Sequence, residues 1–85
     1  MNYNIEIAPL SDYFVVAVKD KNNGELKETF TLNESGVDMI RLFAEGKDIM
    51  SITKEMAELY DAPIELVSVD VINFAEKLRK KGLVK

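Results

Sequence analysis

The sequence predicts one α+β domain in which a three-stranded antiparallel sheet precedes three helices. Residues 1–32 alternate between apolar and polar positions and contain turn signals, whereas residues 33–84 place apolar residues three and four apart. A run of strands followed by a run of helices is typical of α+β domains. A chain of 85 residues has room for one domain, so residues 1–85 are assigned to it.

The first two predicted strands differ in the polarity of their faces. The first nine residues alternate weakly, which predicts a strand that ends at Pro9. The apolar side of that strand consists of Tyr3, Ile5 and Ile7. Residues 13–18 form the densest run of β-forming residues and are apolar on both faces, which predicts the central strand.

A third strand, Leu26–Leu32, is predicted after a turn at residues 22–24, where asparagine and glycine tolerate positive φ. Its two faces are Leu26, Glu28, Phe30 and Leu32 on one side, and Lys27, Thr29 and Thr31 on the other. The strand is expected to form a hairpin with the central strand. Its polar face carries one charge, which protects the edge only weakly against an added strand. An ordinary edge strand covered by a helix is the simpler alternative.

The first helix is predicted to start at Asn33, a good N-cap residue, and to stop at Gly46. Its buried stripe is predicted to be Val37, Ile40, Phe43 and Ala44. Asp48 is then expected to cap the second helix.

The second and third helices are predicted to form a helix-turn-helix pair, because Pro63 lies between two helical patterns. The predicted stripes are Ile49, Ile52, Met56 and Leu59 on the second helix, and Val67, Val71, Phe74 and Leu78 on the third. Phe74 and Leu78 are expected to anchor the third helix on the sheet, and loss of the Phe74 ring is expected to leave the domain largely unfolded.

Two flanks border the predicted stripe of the third helix. One flank consists of Ser68, Ile72, Ala75 and Arg79. Ile72 is an apolar residue at the margin of a full stripe, which suits either a peptide groove or a wide core face. Asp70 lies on the other flank, where a structural hydrogen bond or a helix-start interaction is the simpler interpretation.

Composition excludes several classes of chemistry. The chain has no histidine and no cysteine, so histidine-based and cysteine-based metal sites and catalytic triads are excluded. The remaining carboxylates are scattered, and we therefore predict no enzymatic activity, no cofactor and no metal site. No apolar run is long enough for a membrane helix and no export signal is visible, so a cytoplasmic location is expected.

The order of these elements resembles one known family. The residues that carry the resemblance are Leu32-Asn33-Glu34, Ile40, Gly46, Ile52, Leu59-Tyr60, Asp70-Val71, Phe74, Leu78 and Gly82-Leu83-Val84. Together they cover about residues 13 to 84. The chain is similar to PqqD-like proteins, the RiPP recognition elements of pathways that modify ribosomally made peptides.

This resemblance implies a winged-helix-like domain that binds the leader part of a precursor peptide. It also implies presentation of that peptide to a modifying enzyme, often a radical SAM enzyme. The peptide would lie beside the third strand, in the groove with the third helix, here residues 26–32 and 64–81. The predicted peptide-binding residues are Leu26, Lys27, Glu28, Thr29, Phe30, Thr31, Ser68, Ile72, Ala75 and Arg79. Neither the peptide, the enzyme nor the product follows from the sequence.

Two other functions compete with peptide binding. A helix-turn-helix suggests DNA binding, but the net charge is −4 and the predicted recognition helix opens with acidic residues, so no nucleic-acid partner is expected. An adaptor that binds a folded protein is the second alternative. A homodimer through the free sheet edge is left open.

Overall fold

The computed structural model describes residues 3–84 and confirms the predicted class, a three-stranded antiparallel sheet followed by three helices. The elements are β1 Tyr3–Leu10, β2 Tyr13–Asp20, β3 Leu26–Leu32, α1 Glu34–Ala44, α2 Ile49–Tyr60 and α3 Ile64–Lys80. Met1 and Asn2, which the sequence pattern included in the first strand, lie outside the described residues, as does Lys85.

The sheet has the order β1-β2-β3, so the apolar strand β2 is central as predicted. β1 pairs with β2 along its whole length, from Tyr3 opposite Asp20 to Leu10 opposite Tyr13. The weak alternation of β1 is therefore sufficient for pairing, because its Tyr3, Ile5 and Ile7 side chains pack against the core. β1 runs one residue past Pro9, the predicted end.

The β2–β3 hairpin contains one irregularity. Its turn includes Gly24 at φ 71°, a conformation that favours glycine. Lys19 lies opposite Leu26 while Val18 lies opposite Glu28, so Lys27 is an extra residue in β3. The Leu26 side chain, predicted to share the inner face, is 60% exposed at this end of the strand.

The core lies between the sheet and the three helices. Its fully buried large side chains are Ile40, Ile52, Leu78, Val16, Val18 and Val71. Val37, Ile40 and Phe43 of the predicted α1 stripe are buried, and Ala44 is half-buried. On α2 only the middle of the predicted stripe is buried, since Leu59 is 63% exposed near the end of the helix.

The helix ends follow the predicted signals. The Asn33 and Asp48 side chains accept hydrogen bonds from the backbone N–H groups of Gly36 and Ser51, and so cap α1 and α2. Past the end of α3, Gly82 has φ 75°, and the N–H of Leu83 donates to the carbonyl of Leu78 at 2.9 Å. This turn directs the Leu83 side chain into the core.

Candidate functional site

A cleft of about 600 Å³ opens between β3, the start of α1 and one flank of α3. Its lining residues are Tyr13, Thr31, Leu32, Asn33, Ser35, Gly36, Met39, Asp70, Asn73, Phe74 and Lys77. α3 runs antiparallel to β3, because its C-terminal Lys81 meets Glu28 while Asp70 and Phe74 lie near Leu32. The cleft therefore follows the free edge of the sheet.

The floor of the cleft is apolar. Leu32, Met39 and Phe74 supply it, and Phe74 stacks on the core residue Phe43 with ring centroids 6.0 Å apart. α1 approaches β3 closely at Gly36, where an added Cβ would lie 3.1 Å from the Leu32 side chain. A side chain that entered the cleft would thus meet a floor fixed by the core.

The free edge of β3 borders this cleft. The N–H of Asp20 faces β3, because it donates to the Glu25 carbonyl at 2.9 Å. Backbone groups alternate in direction along a strand, so Val18 and Val16 face β3 as well. Their partners Glu28 and Phe30 are then the residues that bond to β2.

By this count Thr29 and Thr31 direct their backbone N–H and C=O groups to the open side. Their side chains are exposed on the outer face of the sheet, and Thr31 also lines the cleft. An extended peptide can hydrogen-bond to such groups and extend the sheet.

Lys81 closes the other end of the space between β3 and α3. Its Nζ lies 2.7 Å from Oε1 of Glu28 and 5.1 Å from the centre of the Phe30 ring. The Glu28 carboxylate and the Phe30 ring are therefore already occupied within the domain. The accessible part of the cleft lies towards Leu32.

Most of the chain, including the elements that form the cleft, matches a known protein family. The family model of coenzyme PQQ synthesis protein D (PqqD) matches residues 16–84. The chain belongs to the PqqD family. The matched region includes β3, all three helices and every cleft residue except Tyr13, and it confirms the resemblance inferred from the residue pattern.

A solved structure shares the fold of this PqqD family member. The structure of TbiB1 in complex with the TbiA(beta) leader peptide matches with a TM-score of 0.69 and 23% identity. The match covers 100% of this chain and 95% of the TbiB1 chain. None of the curated proteins matches the chain significantly.

The structure separates the predicted site residues into two groups. The predicted β3 residues, 26–31, lie on the free edge strand of the sheet, and of these Thr31 lines the cleft. The predicted flank of α3 does not line it, since the cleft is bordered by the opposite flank. Ala75 is only 4% exposed and belongs to the core, so little of its side chain is open to the predicted contact with a peptide.

The other three predicted residues of that flank also point away from the cleft. The Ser68 hydroxyl donates to the Glu65 carbonyl at 2.9 Å, and Arg79 pairs with Glu76. The Ile72 side chain is 49% exposed on the same side of the buried stripe. Contact of these residues with a peptide stays a prediction, and it would lie on the side of α3 opposite the cleft.

Sequence reasoning missed the α3 residues that line the cleft, namely Asp70, Asn73 and Lys77, and it placed Phe74 in the core alone. Phe74 is half-buried and contributes to both the core and the cleft. Asp70 was recognised as a member of the other flank. The side of α3 that faces β3 depends on how the helix crosses the sheet, and helical periodicity does not contain that information.

The perturbed ionisable groups lie away from the cleft. Partial burial, together with a hydrogen bond to Asp38, raises the pKa of Tyr60 to about 12. A hydrogen bond with Glu55 raises the pKa of Lys47, and the Ser51 N–H lowers the pKa of the Asp48 carboxyl. In residues 3–84 no three metal-binding side chains cluster, and no helix there is long and apolar enough to cross a bilayer.

Proposed function

We propose that this domain captures the leader of a ribosomally made precursor peptide by strand addition along β3 and presents it to a modifying enzyme, often a radical SAM enzyme in such pathways. The observation that carries the proposal is the free edge of β3 lying beside a cleft with an apolar floor. The complex of TbiB1 with a leader peptide supports it by analogy. The domain would act in the cytoplasm, as a non-catalytic binding module.

The two edges of the sheet differ in how well they suit an added strand. By the same alternation, the open-side positions of β1 are Tyr3, Ile5, Ile7 and Pro9. Proline has no N–H, so Pro9 removes one main-chain donor from that edge. The described part of β3 contains no proline, and threonines occupy its open-side positions. This difference favours β3 as the peptide-binding edge.

A pair of proline substitutions tests strand addition. In Thr29→Pro the ring removes an N–H that faces the open side, so the fold should persist while peptide binding weakens roughly fivefold or more. In Glu28→Pro the ring removes a donor to β2, so the hairpin should be destabilised. Binding is measured by calorimetry with synthetic leaders encoded by short genes beside this one, and folding by circular dichroism.

Thr29→Val is the matched control for the proline variant, because it keeps the N–H and the side-chain shape while it removes the hydroxyl. Its affinity should match that of the original domain. If Thr29→Pro remains folded and binds the leader equally well, β3 is not the binding edge, and an adaptor function takes its place. A homodimer through β3 would occupy the same edge, so added leader should dissociate it.

A further inference from the structure

Two charged side chains that line the cleft lack the ion-pair partners that neighbouring charged side chains have. Lys81 is paired with Glu28 at 2.7 Å, and Arg79 is paired with Glu76. Asp70 and Lys77, which line the cleft, have no ion-pair or hydrogen-bond partner within residues 3–84. The cleft thus offers one free anion and one free cation.

The two free charges are too far apart to neutralise each other. They are seven residues apart on α3, which corresponds to about 10 Å along the helix axis at 1.5 Å per residue. Phe74 lies between them, about 6 Å along the axis from Asp70. The mouth of the cleft therefore presents an anion, an apolar ring and a cation in order.

An extended peptide has a matching repeat. Alternate residues of a strand face the same side, about 6.8 Å apart for two residues and about 13.6 Å for four. A peptide residue opposite Asp70 would be followed by one over Phe74 two positions later. The residue four positions later would come within reach of the long Lys77 side chain.

The direction of the peptide fixes the order of its charges. The sheet is antiparallel throughout, and an added antiparallel strand is the more stable arrangement. A strand antiparallel to β3 starts near Leu32 and Asp70 and runs towards Lys77 and Lys81. Its N-terminal side therefore meets the anion first.

We infer that the cleft selects leaders containing a basic residue, then a large apolar residue two positions later, then an acidic residue two positions after that. This inference rests on the proposed function, since it requires a peptide strand on β3. Asp70 and Lys77 act as specificity-determining residues, and Phe74 receives the apolar side chain. Opposite charges at these positions improve binding, whereas like charges oppose it.

The test uses a displayed library of random 12-residue peptides, selected against the original domain and against the double variant Asp70→Lys with Lys77→Asp. The double variant exchanges the two charges and keeps the formal net charge at −4, so nonspecific attraction is unchanged. The original domain should enrich the basic-x-apolar-x-acidic order and the double variant the reverse order. Enrichment is counted relative to a parallel selection against the Thr29→Pro domain.

Two synthetic peptides then measure how strongly the order of charges affects affinity. One contains Lys-Thr-Phe-Thr-Glu and the other Glu-Thr-Phe-Thr-Lys, in the same flanking sequence. We expect an affinity ratio of about fivefold, inverted in the double variant, as is typical of two partly exposed ion pairs. The ratio should disappear in about 1 M salt, where screening acts within roughly 3 Å. The single variants Asp70→Asn and Lys77→Gln should each remove half of the selectivity.

The outcomes separate this inference from the proposed function. Enrichment of apolar peptides without a charge order, or with the same order for both proteins, overturns the charge pattern and leaves peptide binding intact. Absence of any enrichment above the Thr29→Pro background overturns strand addition itself. Circular dichroism of each variant confirms that the comparison is between folded proteins.

Discussion

Phe74 is expected to affect both stability and peptide binding when it is truncated, because its ring contacts the core on one side and the cleft on the other. Removal of a fully buried phenylalanine costs about 3–5 kcal/mol. One side of the Phe74 ring is open, so we expect about 2–3 kcal/mol for Phe74→Ala, including the stacking contact with Phe43. Since domains of this size are stable by about 4–13 kcal/mol, the variant should remain largely folded. This revises the expectation from the sequence, which took the ring as fully buried, whereas Phe74 is half-buried.

Leu78→Ala provides the comparison, because Leu78 is 1% exposed and does not line the cleft. Its expected cost in unfolding free energy is about 2–5 kcal/mol, with no change in affinity per folded molecule. Urea titration measures both stabilities, and calorimetry with the leader measures both affinities in the presence of a stabilising osmolyte. A Phe74→Ala domain that loses less than about 0.5 kcal/mol, or binds leader as tightly as the original, would refute the double role of the ring.

Two further predictions concern ionisable groups outside the cleft. The lowered pKa of Asp48 means that its cap stabilises the fold above pH 3.8 and that this contribution is lost as the pH falls through the lowered value, so Asp48→Asn should flatten the acid limb of a stability–pH profile. The raised pKa of Tyr60 means a contribution present below pH 10 and lost as the pH rises towards about 12. In an ultraviolet absorbance titration Tyr60→Phe should remove the step near pH 12, and persistence of that step would assign it to another tyrosine.

Most of the fold follows from local signals in the sequence. The predicted ends of the elements are marked by capping residues, glycine turns and Pro63, and the observed ends lie next to these residues. The apolar run of β2 correctly predicted its central position, although only its inward side chains Val16 and Val18 are fully buried. The extra residue at Lys27 was not predictable, since a bulge leaves the alternation of the remaining β3 residues intact.

The predicted buried stripes differ from the observed ones in their length and in their width. Ile52 and Met56 are buried in the middle of α2, whereas Leu59, at the same spacing, is 63% exposed and borders a depression beside α1. On α3, Ala75 was assigned to a flank although its small side chain lies in the core. Periodicity gives the direction of a stripe, while its width and length depend on the neighbouring elements.

The cleft could be predicted as an edge strand beside a helix, but not as a set of side chains. Both flanks of α3 carry residues three and four apart that fit a groove equally well. The choice between them depends on the side of α3 on which β3 lies, and the contact of Lys81 with Glu28 and Phe30 makes this visible in the structure. Because that contact joins residues 53 positions apart, it depends on the complete chain topology and has no local signature. The same geometry places Asp70, for which the sequence favoured a structural or helix-start interaction, among the residues that line the cleft.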